Sequence, residues 1–177
     1  MSENQTVELT YNFDESAIQA TQHFMCTQGK DGYMSQNIFQ WVPEAHIEFI
    51  VGGVFVLLPF PTFRLPLLEF AWSLRKLVYR LEVNKTLRLD VVLTGHVSSF
   101  TLNNDQTVMV QGGLKSTGHC TLVELRIATD QFCHKVYEDI LRLFPDYFQF
   151  MDLLPPGKAS TEGKPSEKFI NELLGRQ

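Results

Sequence analysis

Residues 46–58, HIEFIVGGVFVLL, leave this chain few choices. Ile47, Phe49 and Val51 alternate with Glu48 and Ile50, the two-residue period of a strand with one buried face. Gly52–Gly53 suits a primed two-residue turn, and Val54 to Leu58 return, so the segment predicts a β-hairpin. PFPTFRLP follows. Its prolines forbid a central strand and force extended backbone ahead of them. Pro66 then suits the first turn of a helix, which runs through LLEFAWSLRKLVYRLE to Glu82. At about 100° per residue, Leu67, Phe70, Ala71, Leu74, Leu77, Val78 and Leu81 share one arc, which buries against a sheet. Leu68, Trp72 and Tyr79 lie on an adjoining arc with Arg75 among them.

Elsewhere the pattern is mixed. VELTYNF alternates Val7, Leu9 and Tyr11 as a half-buried strand. DESAIQATQHFMC fits a helix capped by Asp14 with an Ala17–Ala20–Phe24 stripe, and fits extended chain nearly as well. GKDGY at 29–33 predicts a turn. Beyond Asn84 the period returns to two. TLRLDVVLTG offers Leu87, Leu89, Val91 and Leu93, VSSFTL is a short strand, NND a turn, and TVMVQGG offers Val108 and Val110. HCTLVELRI reads as a further strand with Cys120, Leu122 and Glu124 on one face. With no crossover helices between them, these strands predict an antiparallel meander. Thr129 or Asp130 is then expected to cap a second long helix, ended by Pro145.

On that helix Phe132, Cys133, Val136, Tyr137, Ile140, Leu143 and Phe144 cover one half, and His134, Lys135, Glu138, Asp139 and Arg142 the other. Four-residue spacing pairs Lys135 with Asp139 and Glu138 with Arg142. DYFQFMDLLPPG is expected to fold back over a sheet edge or helix end, and PSEKFINELLG to form a short helix stopped by Gly175. The predicted fold is α+β: an antiparallel β-meander sheet packed on one face by two main amphipathic helices, with a short C-terminal helix. The domain expectation is a single two-layer unit over 1–154, a linker at 155–165 and the helix within 166–177.

The 177 residues, 44% hydrophobic and 20% charged, suffice for one packed core. The net charge of -5 is uneven: residues 1–63 carry seven acids against Lys30, while 64–88 hold Arg64, Arg75, Lys76, Arg80, Lys85 and Arg88. No long basic stripe exists, so a nucleic-acid partner is not expected. Three cysteines without CxxC spacing fit free thiols in a reducing compartment. MSENQTVELTYNF has no signal-peptide character, and FIVGGVFVLLPFPTF is too short and too interrupted by Gly and Pro to span a bilayer. A cytoplasmic protein without a membrane partner is expected.

Chemistry is sparse. Cys133 and His134 are adjacent, and adjacent helix positions point about 100° apart, so they make a poor nucleophile and base. The five histidines form no HxH or HExxH pattern, and GxxxxGK[ST], GxGxxG and GxSxG do not occur. No metal, cofactor or catalytic residue is therefore assigned. VQGGLKSTG is glycine-rich but feeds a strand instead of a helix, which weakens it as an anion cradle. Glu124 would have a raised pKa if buried, and an ordinary one on a wet strand edge. Trp72, Arg75, Lys76 and Tyr79 combine the residue types that carry interface energy. Trp72 equally suits packing beneath 147–154 or 166–174.

The hairpin, the helix FRLPLLEFAWSLRKLVYRL, the meander and TLVELRIATDQFCHKVYEDILRLFPDYF together resemble small bacterial immunity-type proteins, the cytosolic neutralisers of polymorphic or contact-delivered toxins. The likeness covers roughly residues 45–150 and rests on layout and on the phrases LPLLEF and ILRLFPDYF. It implies a protein that blocks a toxin without chemistry. In that account Glu44 and Glu48 of the acidic first third would face a basic toxin while Trp72, Arg75, Lys76 and Tyr79 anchor it, the chain itself being a monomer or weak homodimer. The alternative is a small-molecule-binding protein or unusual enzyme with a pocket between sheet and helices, and His119 and Glu124 as its polar points.

Overall fold

A computed structural model of the chain describes residues 6–31, 44–57, 64–91, 96–112, 117–145, 171 and 174–176. Strand β1 is Val7–Asn12, helix α1 Glu15–Asp31, β2 Glu44–Val51, β3 Val54–Phe55 and β4 Leu65–Pro66. Helix α2 is Leu67–Asn84; β5 is Thr86–Val91, β6 His96–Leu102, β7 Thr107–Gln111 and β8 Thr117–Thr121; helix α3 is Leu122–Leu143. Asn171 and Leu174 belong to a short C-terminal helix, and Arg176 N–H donates to Asn171 O at 2.9 Å. The fold is α+β, with antiparallel strands packed against helices.

The strands pair in two four-stranded groups. In the first, β2 lies between β1 and β3, with β4 joined to its N-terminal end. The hairpin forms with a shorter return than expected: Val51 pairs with Val54, β3 ends at Phe55, and Gly52 and Gly53 take φ of 57° and 76°. The second group is the meander β5–β6–β7–β8. One face of each group is apolar. Val7, Phe49 and Val51 are buried in the first, and Leu89, Phe100, Leu102, Val108, Val110 and Cys120 in the second. Phe49 stacks on Phe100 with ring centroids 6.2 Å apart, joining the two inner faces. Gly118 of β8 passes so close to Val51 that a methyl there would overlap its carbonyl oxygen.

Helices α2 and α3 close the core. All seven residues of the predicted α2 arc are buried, and so are Phe132, Cys133, Val136 and Ile140 on α3 and its C-cap Phe144. Phe70 and Tyr11 each meet Phe132 edge-on, at 5.8 and 5.4 Å between centroids. The buried apolar residues form one continuous cluster from Val7 to Phe144. Among the described residues, no helix is long and apolar enough to cross a membrane.

Three local expectations change, and one open choice is decided. The strand predicted over HCTLVELRI ends at Thr121, and α3 starts at Leu122, not at a cap on Thr129 or Asp130. Thr121 and Glu124 form a reciprocal capping box: Glu124 N–H donates to Thr121 Oγ1 at 3.2 Å, and Thr121 N–H to Glu124 Oε2 at 2.7 Å. Once capped, Leu122, Leu125 and Thr129 continue the buried face of the helix toward Phe132. At the other end of the chain, DESAIQATQHFMC is helical: Asp14 Oδ1 accepts from Ala17 N–H at 2.7 Å as its cap. The helix runs through Gly29–Asp31, where a turn was expected. Finally, Lys135 pairs with Asp139 at 2.6 Å as predicted, but Arg142 reaches Asp139 at 2.9 Å instead of Glu138. Asp139 is the better target because it also accepts from Tyr11 Oη at 2.7 Å and is mostly shielded from water. The segments 147–154 and 155–165 lie outside the described residues.

Candidate functional site on the outer face of the helix pair

Helices α2 and α3 run antiparallel, and their facing rims are joined by polar contacts. Arg75, only 8% exposed, forms an ion pair with Asp130. Tyr79 Oη donates to the other Asp130 oxygen at 2.7 Å. The Arg75 guanidinium lies 4.4 Å above the Tyr79 ring and that of Arg126 at 5.1 Å, and Arg126 also pairs with Glu82 at 3.0 Å. Burial and the Asp130 carboxylate push the Tyr79 phenol upward, so it stays protonated as a donor. From above, Gly175 rests on the Arg75 guanidinium, so close that a methyl there would overlap it. Leu174 is buried beside it, so the end of the chain docks on the body at this cluster.

Along this seam Tyr79 is 42% exposed, and beside it the helices expose Val83 at 82%, Val123 at 63% and Ile127 at 52%. Tyr79 and Val83 are one turn apart on α2, and Val123 and Ile127 one turn apart on α3. Such residues on the outer side of both helices, flanking a fixed ion-pair seam, give a surface with apolar contacts and oriented polar groups.

The sequence candidates divide. Trp72 is half-buried against the core, with the Lys76 ammonium 4.7 Å above its ring, and Lys76 is exposed. Tyr79 is a surface residue. Arg75 is not, because Asp130 and the chain's end enclose it. Glu44 and Glu48 lie elsewhere: Glu44 is half-buried opposite Pro66, and Glu48 is exposed opposite Thr10 on the outward face of the first strand group. That face belongs to the first strand group and the outer side of α2 to the helix pair, and each turns away from the shared core.

The two polar points of the pocket alternative also separate. His119 is exposed on the outward face of β8, opposite Met109. Glu124 is occupied by hydrogen bonds from Thr121 N–H and Oγ1 and from Thr6 Oγ1 at 2.9 Å, which hold its carboxyl below the usual range. That direction is opposite to a buried general acid. Cys133 is enclosed, its thiol 3.5 Å from the Ala71 carbonyl oxygen, and burial pushes it up to about 12. Its neighbour His134 is exposed and donates from Nδ1 to the Asp130 carbonyl at 2.8 Å. Among the described residues, no three His, Cys, Asp or Glu side chains gather as a metal site.

Arg126, Val83, Val123 and Ile127 were not among the sequence candidates, and Asp130 was read as a helix cap instead of the partner of Arg75. Val83 was detectable as the i+4 neighbour of Tyr79 on the polar side of α2. Arg126, Val123 and Ile127 were hidden while residues 122–127 read as a strand. Comparison with known protein families, curated proteins and solved structures yields no match to this chain.

Proposed function

We propose that this chain is a protein-binding module that acts by occluding its partner, without chemistry, in the manner of cytoplasmic immunity-type proteins. The observation that carries the proposal is the exposure of Tyr79, Val83, Val123 and Ile127 together on the outer side of α2 and α3. Aliphatic side chains this exposed cost solubility, and on a surface bordered by ion pairs they match the composition of a recognition face. Tyr79 supplies the anchor; its hydroxyl is already fixed by Asp130, so little side-chain freedom is lost on binding. The net charge of -5 and the exposed Glu48 favour encounter with a basic protein such as a toxin. Because Glu48 lies away from the helix face, its field steers without contact.

The test is co-expression with the toxin-sized product of a neighbouring reading frame. Cells should survive with the native chain and die with Val83→Glu/Ile127→Glu, whose melting temperature should be unchanged because both sites are exposed. A toxin that stays equally lethal beside the native chain would refute neutralisation. Equal protection by the double variant would remove the helix face from the role.

A further inference from the structure

Among the described residues, β5 hydrogen-bonds to β6 alone, so it forms the free edge of its sheet. Which of its backbone groups face outward follows from one bond. Leu102 N–H donates to Lys85 O at 2.7 Å, in the same register that pairs Leu87 with Phe100 and Leu89 with Ser98. In an antiparallel ladder, hydrogen-bonded and non-bonded pairs alternate. Leu87 and Leu89 therefore spend their amides and carbonyls on β6, and Thr86, Arg88 and Asp90 present theirs at the open edge. The side chains of these same three residues are exposed.

Charges on an edge strand ordinarily discourage further pairing. Here they have another property: they are opposite in sign and symmetric about Leu89. We propose that this edge pairs with the β5 of a second copy, antiparallel about a two-fold axis at Leu89. In that register Arg88 lies opposite the partner's Asp90, and the two-fold axis repeats the pair. Both are outward-facing residues, so each pair exchanges two backbone hydrogen bonds. Leu89 then meets the partner's Leu89 as a non-bonded pair, with side chains directed to the inner face. Centring the axis on Arg88 or on Asp90 would set like charges directly opposite, which is destabilising. Of the registers the backbone allows, only this one sets the opposite charges of Arg88 and Asp90 against each other. This homotypic contact is independent of the helix face proposed for a toxin, since it lies on a sheet edge.

A strand pair alone is smaller than most stable interfaces, so the dimer is concentration-dependent. The experiment is sedimentation equilibrium of the full chain over a wide concentration range. The native chain should double in mass as concentration rises. Arg88→Asp sets aspartates opposite each other and Asp90→Arg sets arginines opposite each other; each should weaken association about tenfold or more. The double swap R88D/D90R restores opposite charges and should restore association. Within the chain, Arg88 neighbours Ser99 and Asp90 neighbours Val97, so the swap disturbs no intrachain charge pair across the ladder. Amide exchange supplies a second readout: Arg88 and Asp90 should slow with concentration, while Leu87 and Leu89 stay protected throughout. A chain monomeric at its highest soluble concentration overturns the proposal. So does a dimer indifferent to the single reversals, a double swap that fails to rescue, or an edge covered only by a strand from a different protein.

Discussion

Replacing Gly118 by alanine tests how the two strand groups meet. A Cβ at this position would overlap the Val51 carbonyl oxygen and lie 2.9 Å from the carbonyl carbon and 3.2 Å from Val51 Cβ. Carbon atoms sit comfortably about 3.5–4.0 Å apart, so the two backbones must separate by more than half an ångström. The obstacle is main chain on both sides, with no rotamer able to swing away. Overpacking of this kind costs about 3 kcal/mol, the upper part of the usual range. Alanine also narrows the unfolded ensemble and returns roughly 0.4–1 kcal/mol. The net loss is about 2 kcal/mol, which in a chain of this length lowers the melting temperature by about 4–8 °C. Urea titration and calorimetry would measure it. Gly53→Ala serves as the reference: nothing lies within 4 Å of a methyl there, and only the positive φ of 76° is strained, at roughly 1–2 kcal/mol. If Gly118→Ala changes stability by less than about 0.5 kcal/mol, as an ordinary surface substitution does, the sheets do not meet backbone to backbone.

Three further outcomes are expected. Thr121→Ala removes one half of the capping box and should cost about 1 kcal/mol in chemical denaturation. Burial works against ionisation of Asp139, but hydrogen bonds from Lys135, Tyr11 and Arg142 outweigh it and hold its carboxyl down at about 2. A depressed folded value means that its contribution is complete above the unfolded value, about 4, and is lost as pH falls from there toward 2. Asp139→Asn should therefore flatten the acid limb of stability in that window, as read by denaturation midpoints against pH; an unchanged slope would contradict the arrangement. Cys26 is exposed, whereas burial pushes Cys120 and Cys133 each to about 12. A thiol reagent near pH 8 should label Cys26 quickly and the other two only on unfolding, with mass spectrometry reading the sites.

The parts legible from sequence were those decided by local pattern. The hairpin needed only alternation and two glycines, and the α2 arc only its 3.6-residue period, so both appear where the pattern placed them. The segment 117–125 defeated alternation because an inward-facing strand end runs straight into an inward-facing helix, and Cys120 and Leu122 are buried under either period, while Leu125 joins them only on a helix. Its discriminating signal was TLVE, a threonine followed three residues later by glutamate before an apolar run. Arg75 shows the other kind of limit. Its helical position is plain in the sequence, but the carboxylate that draws it inside is 55 residues away on another helix. Glu44 and Glu48 were grouped with the aromatic helix by charge alone, and charge carries no information about which side of a core a strand faces.

The cradle beneath Gly175 is assembled from two helices that precede it in the chain. During synthesis, Arg75 and Asp130 leave the ribosome well before the residues that roof them, so the body can close while its lid is still unmade. For that interval the Arg75 guanidinium has Asp130 and Tyr79 beside it but not yet the Gly175 backbone above it.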